Sequence, residues 1–439
     1  MTDAERKVDS RATTAVSAVT PDGKLIETVY DPDTRRTGFV AWQNGRSEML
    51  RVATIPGIGR VVPYSATNNL LSHRVVLFPS KATPYSSERG LVEEIRSFIH
   101  RYADVSELFE EVAGYYVLFS WIYDAFAEVP YLRLKGDFGS GKSRCLQAIG
   151  SLCYKPMFAS GASTVSPMFR IIDTFRGTLV IDEGDFRFSD ESAEIIKILN
   201  NGNATGFPVL RSEAAQNKEF NPRAFTVFGP KIIASRGLFD DRALESRCIT
   251  ETMTGLPPRP DIPLSLPDAF HLEALDLRNK LLTFRFYNFR APRDMERATD
   301  PEIEPRISQV FAPLLAIIDD SAPRERLVGL AKAASRRIRA ERSASLEAQL
   351  LDIMYEMWRD SVLLAVKTLA ERFAERFGGD YRRPITPRWI GAQLRSRLSL
   401  TPVKSHGTFV IPATEEPRLL SLFQRYGLGD VGTLGTSQG

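Results

Sequence analysis

Gly136-Asp-Phe-Gly-Ser-Gly-Lys-Ser143 fits the spacing G-x-x-x-x-G-K-[ST] without a mismatch. The spacing has a physical reason. Glycines let backbone N–H groups converge on phosphate oxygens, so Gly136, Asp137, Phe138, Gly139, Ser140, Gly141, Lys142 and Ser143 read as one phosphate cradle. Lys142 supplies a point charge to the β- and γ-phosphates, and the Ser143 hydroxyl is a Mg²⁺ ligand. A helix starting at the end of the motif adds its positive N-terminal end. Both flanks agree: Tyr131-Leu-Arg-Leu-Lys135 reads as a strand, and Arg144 to Leu152 as a helix with Leu146 and Ile149 among its apolar positions. The expectation is a nucleoside-triphosphate site with ATP and Mg²⁺ as its cofactors.

Gly177-Thr-Leu-Val-Ile-Asp-Glu183 is a short apolar run ending in two acids. Such runs are buried parallel strands. Carboxylates at the C-terminal end of a parallel strand stand at the ligand-binding edge of an α/β sheet. Asp182 is expected to hold the metal, through water, and Glu183 to polarise the attacking water. Asp185 follows and either supports the site or faces solvent.

Composition bounds the rest. A chain of 439 residues should hold about two to four domains, and 43% apolar with 25% charged residues are globular values. The net charge of +3 points to no global field for nucleic acid, so any basic surface must be local. Cys145, Cys153 and Cys248 form no C-x-x-C pair, which disfavours zinc and fits a reducing cytoplasm. Residues 1–23 are polar, lack an apolar core for export, and are expected to be disordered. The longest apolar stretch, around Tyr115 to Tyr123, is too short to span a bilayer, so no membrane partner is expected.

Along the chain, residues 24–86 read as a small β domain, with strands at Leu25–Tyr30, Thr37–Gln43, Met49–Ile55, Arg60–Tyr64 and Arg74–Phe78. Residues 87–256 read as the nucleotide-binding core with two leading helices. In the second, Leu108, Val112, Tyr116, Phe119, Tyr123 and Phe126 recur at helical spacing, a core stripe. Strands at Met157–Ser160 and Lys231–Ser235 and helices at Ser166–Phe175 and Asp190–Leu199 complete a strand–helix alternation. It implies an α/β, three-layer fold on a parallel sheet. Phe207–Arg211 and Ala224–Phe228 flank a polar loop with Lys218 and Arg223 and suit a β-hairpin. A proline-rich boundary at 257–261 opens a helical region, 257–361, in which Arg336, Arg337 and Arg339 form a basic run. Residues 362–427 read as helix, helix and β-wing, a winged helix-turn-helix pattern, with Thr386 capping a helix that begins at Pro387. Arg388, Arg395, Arg397 and Lys404 give that segment a basic face suited to DNA phosphates, although a winged helix can equally pack on protein. Residues 428–439 are a Gly-rich tail.

Ser235 ends the strand that follows the acidic one, and Arg242 and Arg247 come soon after it. With the phosphate loop and acidic strand, this resembles the AAA+ ATPases of the minichromosome maintenance (MCM) and superfamily 3 type, found in replication proteins of plasmids, phages and integrated elements. The resemblance covers roughly residues 105–320 and the C-terminal winged helix. It implies that Ser235, where these proteins often have Asn, senses the γ-phosphate. The Ser246-Arg247 pair resembles their Ser-Arg-Phe motif, with Cys248 in place of Phe. By that likeness Arg247 is an arginine finger acting on a neighbouring copy, with Arg242 the competing candidate. Arg306 falls where the lid carries a second sensor arginine. The 207–228 hairpin corresponds to one that tracks DNA through a pore, and brings in Arg211, Lys218 and Arg223 as phosphate contacts. The resemblance thus implies a ring-forming DNA helicase, a homo-oligomer and most simply a hexamer. Two alternatives stay open: a DNA-bound ATPase switch in initiation or transcription that unwinds nothing, and a helicase loader or protein remodeller.

Overall fold

The structure, a computed structural model, describes residues 12–428 apart from 162, 183–189, 215–219, 240, 292–299, 344 and 382–383. Glu183, Asp185 and Lys218 lie outside the described residues. The chain divides into two compact units, residues 1–331 and 332–439. Among the described residues no helix is long and apolar enough to cross a membrane.

The first unit is mixed α/β around a five-stranded sheet: β1 (Tyr131–Lys135), β2 (Met157–Ser160), β3 (Leu179–Asp182), β4 (Lys231–Ser235) and β5 (Cys248–Thr252). The order across the sheet is β5-β1-β4-β3-β2, and every neighbouring pair is parallel. Leu132, Leu134, Val180, Ile181, Ile232 and Ile233 are buried, as residues of parallel strands covered on both faces must be. Parallel order puts the ends of β1, β3 and β4 on one edge, with β4 between the other two. The end of β4 therefore stands between the phosphate loop and the acid that closes β3. β5 was not legible from its sequence: Cys-Ile-Thr-Glu-Thr is only half apolar, because an edge strand buries fewer residues.

The helix Lys142–Gly150 contacts β1, β3 and β4, fixing the loop before it to the sheet. At the other end of β4, the buried Lys231 ammonium donates to the carbonyls of Gly202, Val227 and Gly229 at 3.2, 3.0 and 2.8 Å. Burial pushes its pKa down to about 7. Those carbonyls lie on both sides of an antiparallel hairpin, Val209–Ala214 with Phe220–Phe225, whose strands are shifted toward the turn from the stretches expected at 207–211 and 224–228, so that Arg223 lies on a strand rather than in the loop.

The N-terminal region is β-rich. Ser17–Val19, Leu25–Asp31, Arg36–Gln43 and Arg46–Leu50 form an antiparallel sheet; Thr13–Thr14, Gly59–Val62 and Ala53–Ile55 form a second. Two strands thus fall in a stretch read as disordered. Their polar composition conceals pairing with Val61–Val62 and with residues 25–27. Residues 74–78 are not a strand: Val76 makes only a single antiparallel bridge to Met157 on β2.

Glu27 ties this region to the core. It is 1% exposed and accepts Tyr154 Oη at 2.7 Å and Arg285 Nε at 2.8 Å, with Lys155 Nζ at 3.2 Å. Arg285 also donates to both oxygens of Asp124 at 2.7 Å. Removing one member of a buried charge cluster leaves the others desolvated and unpaired. Glu27→Ala is expected to lower stability by about 3–5 kcal/mol, with Glu27→Gln costing less. Urea denaturation of both variants checks this, and an unchanged midpoint for Glu27→Ala would refute it.

In the second unit, the helices Leu346–Arg359, Val366–Phe377, Pro387–Ser396 and Glu416–Arg425 close over a core of Leu351, Met354, Phe373, Ile390, Leu394 and Phe423. Thr386 Oγ1 accepts the Trp389 amide at 3.2 Å, the cap anticipated from the Thr-Pro pair. Val403–Ser405 and Thr408–Val410 pair antiparallel, turning through His406 and Gly407, both at positive φ.

Candidate functional site

A cleft of about 350 Å³ opens at the C-terminal edge of the sheet. Phe138 to Arg144, Asp182, Ala234, Ser235 and Arg236 line it. The loop, the acid closing β3 and the serine closing β4 therefore meet in one place, although they lie far apart in sequence.

Backbone geometry explains the loop. Gly139 and Gly141 have φ of 76° and 86°, a region that side-chain-bearing residues avoid. At Gly136 the constraint is space: a Cβ there would stand 2.8 Å from Met253 Cβ and 2.7 Å from Ser140 Oγ. The Gly136 amide donates to Ser235 O at 3.1 Å, fastening the loop to β4. Lys142 Nζ donates to the carbonyls of Gly136 and Asp137, both at 2.6 Å, and to Ser140 Oγ at 3.3 Å. The ammonium is therefore folded into the loop, over the same space the amides surround. Phe138 borders the cleft and is 90% exposed.

Ser143 and Asp182 share this cleft. A hydroxyl and a carboxylate lining one cleft fit a hard divalent cation that takes its other ligands from phosphate and water. Among the described residues no group of three or more His, Cys, Asp or Glu could hold a metal ion. Ser235 is 3% exposed at the cleft floor, and its hydroxyl donates to Gly237 O at 3.1 Å.

Two cleft residues escaped the sequence reading. Arg144 donates to the carbonyls of Pro263 and Leu264 at 2.8 and 2.7 Å, tying the loop helix to the proline-rich segment. Arg236 directly follows the end of β4. Their signal was adjacency, a cation immediately after each phosphate-facing element.

Arg247 and Arg306 are not brought to this cleft. Cys248 pairs with Tyr131, the first residue of β1, and Arg247 O accepts the Tyr131 amide at 3.1 Å. Arg247 thus stands at the opposite sheet edge from the phosphate loop, about 15 Å away along a five-residue strand. It donates to Asn200 Oδ1, and its buried Nε has no hydrogen-bond partner among the described residues. Burial and then neighbouring Arg306 lower its pKa. Arg306 donates from Nε to Ser246 Oγ at 3.3 Å, so the two cations are neighbours. Arg242 opens a short helix, Arg242–Glu245, five residues before Arg247, and is exposed.

The basic residues read as DNA contacts differ in their surroundings. On the hairpin, Arg211 makes a bidentate pair with Glu194 at 3.0 and 2.9 Å and lies over the Phe169 ring. Arg223 stands opposite it, 3.7 Å from Asp173. Both are held against the unit's own helices. In the second unit Arg388, Arg395 and Lys404 are exposed. Arg397 is also exposed but bonds to Glu347 at 2.8 Å.

No protein-family model matches this chain, and no curated protein sequence does. Solved structures offer distant likenesses. The NrS-1 C-terminal region is 13% identical at a TM-score of 0.38, covering 88% of this chain and 96% of its own. A full-length MCM homolog from Methanopyrus kandleri is 10% identical at 0.37, covering 71% and 78%. The SCCmec type IV protein Cch, an active helicase, is 9% identical at 0.30, covering 93% and 100%. At such values these likenesses carry no weight for the site, which rests on residues 136–143, 182 and 235.

Proposed function

We propose that this chain is a Mg²⁺-ATP-dependent motor acting on DNA in the cytoplasm, a ring-forming helicase of the AAA+ type. The supporting observation is the cleft that joins residues 138–143 of the loop, Lys142 and Ser143 among them, to Asp182 at the open edge of a parallel sheet. On this reading Lys142 and the loop amides bind the phosphates of ATP. Ser143 and Asp182 would hold Mg²⁺, which neutralises charge developing between the β- and γ-phosphates. Glu183 orients the water, and Ser235 monitors the γ-phosphate through its place beside the loop. Arg247 belongs to a neighbour's site, because its own lies across the sheet. Arg306, its neighbour, acts across the same interface. That role requires a homo-oligomer, most simply a hexamer. The helical region after residue 257 serves as the lid. Hairpin residues Arg211, Lys218 and Arg223, and winged-helix residues Arg388, Arg395, Arg397 and Lys404, supply phosphate contacts to DNA.

The test combines three measurements on the full chain. Hydrolysis should rise with added single-stranded DNA. Mass should increase to that of a closed ring with a non-hydrolysable ATP analogue. A forked duplex should be separated. Hydrolysis indifferent to DNA would transfer the chain to protein remodelling. DNA stimulation without strand separation would make it a DNA-bound switch.

A further inference from the structure

Arg133 stands in the middle of β1, its side chain wholly buried. A buried guanidinium is costly unless its donors are met. Here both terminal nitrogens donate to the Glu245 carboxylate, and Nε donates to Thr250 Oγ1 on β5 at 3.1 Å. The guanidinium also lies 4.9 Å from the Phe239 ring centroid.

Glu245 is the last residue of the short helix, two before Arg247. Its carboxylate accepts the Phe239 amide as well, at 3.1 Å. Both ends of residues 239–245 are therefore gathered on one carboxylate, and that carboxylate is gripped by β1. Asp241 caps the helix through the amides of Ala243 and Leu244 and accepts from Asn200, the residue that receives Arg247.

This segment has a geometric task. β4 and β5 are parallel members of one sheet, so the chain leaving Ser235 at the cleft must cross back to the far edge before Cys248. Arg247 sits at the end of that crossover, and the Arg133–Glu245 pair pins it midway. We propose that Arg133 and Glu245 form a positioning clamp. It keeps the crossover in register with the strand that carries the phosphate loop, and so aims Arg247 at a neighbouring copy's triphosphate. The inference rests on the trans role of Arg247 proposed above. Neither clamp residue touches nucleotide; both act through Arg247. Fold stability alone is a weak reason for such a pair, since apolar residues of similar volume often replace buried ion pairs without loss.

The double variant Arg133→Met/Glu245→Leu tests the clamp. It is expected to keep the unfolding midpoint and the affinity for a fluorescent ATP analogue, while hydrolysis falls about a hundredfold or more, as for a misplaced arginine finger. Mixed with Lys142→Ala, which lacks a working loop but carries an intact finger, its hydrolysis should recover. A purely structural defect in the double variant's own site would not be repaired by a partner. The reference is Arg247→Ala mixed with Lys142→Ala. Recovery in the reference without recovery of the double variant overturns the clamp and leaves the trans finger standing. No recovery in the reference removes the trans finger and the clamp with it. Wild-type hydrolysis by the double variant, or a tenfold loss of analogue affinity, also overturns the clamp. If the double variant does not fold, Glu245→Gln, which keeps the side chain's shape, takes its place in every arm.

Discussion

Lys142→Ala is expected to abolish hydrolysis, lowering turnover by about a thousandfold or more, with the fold intact. Lys142 Nζ lies among the carbonyls of Gly136 and Asp137 and the Ser140 hydroxyl, at the centre of the loop. A bound triphosphate would draw the ammonium from those acceptors to its own oxygens. Losing one preorganised donor to developing charge costs about 2.7–4 kcal/mol, a factor of 10²–10³; losing a full charge costs at least as much. Lys142→Arg should not restore activity, because a planar fork does not substitute for a compact ammonium in a loop this tight. The checks are phosphate release, equilibrium binding of a labelled ATP analogue, and a melting curve. Turnover within tenfold of wild type would remove the phosphate loop from the chemistry.

Arg247→Ala should match that loss yet differ in one respect: mixing with Lys142→Ala restores it. An arginine finger is worth about 10³–10⁵ in turnover. Arg247 cannot reach its own chain's cleft from the start of β5, so two dead chains can assemble one live interface. Analogue affinity should hold. Stability should change by less than about 1 kcal/mol, since half-buried Arg247 already bears desolvation and the adjacent charge of Arg306. Hydrolysis measured across mixing ratios should peak at an intermediate composition. A flat response would place Arg247 among residues that act within their own chain, or in none.

The site was legible where it is contiguous. Residues 136–143 encode their own geometry, because the glycines, lysine and serine act within a few positions of one another. Asp182 was legible because a buried strand announces its end by its first charge. Arg133 was read only as part of a strand, since its partner Glu245 is distant in sequence and no local spacing reports it. β5 and the strands before residue 20 failed for a related reason. They owe their conformation to distant pairing rather than to an apolar pattern of their own. Arg306 was placed by analogy with a lid arginine, and the structure sets it beside Ser246 instead of the cleft. Glu183 and Lys218, both central to the reading, lie outside the described residues.

The N-terminal strands are no detachable accessory. Ser80 and Thr83 bond to Asn279, Phe78 O accepts Arg278, and Val75 O accepts the Phe158 amide at the outer border of β2. Together with Glu27 they stitch the N-terminal region to the core. Cutting the protein at residue 87 to obtain a minimal enzyme would take Ser17 and Glu27 from Lys155, leave Arg285 with Asp124 as its carboxylate, and bare the outer border of β2. A truncation at that seam should therefore give less folded protein rather than a smaller working enzyme.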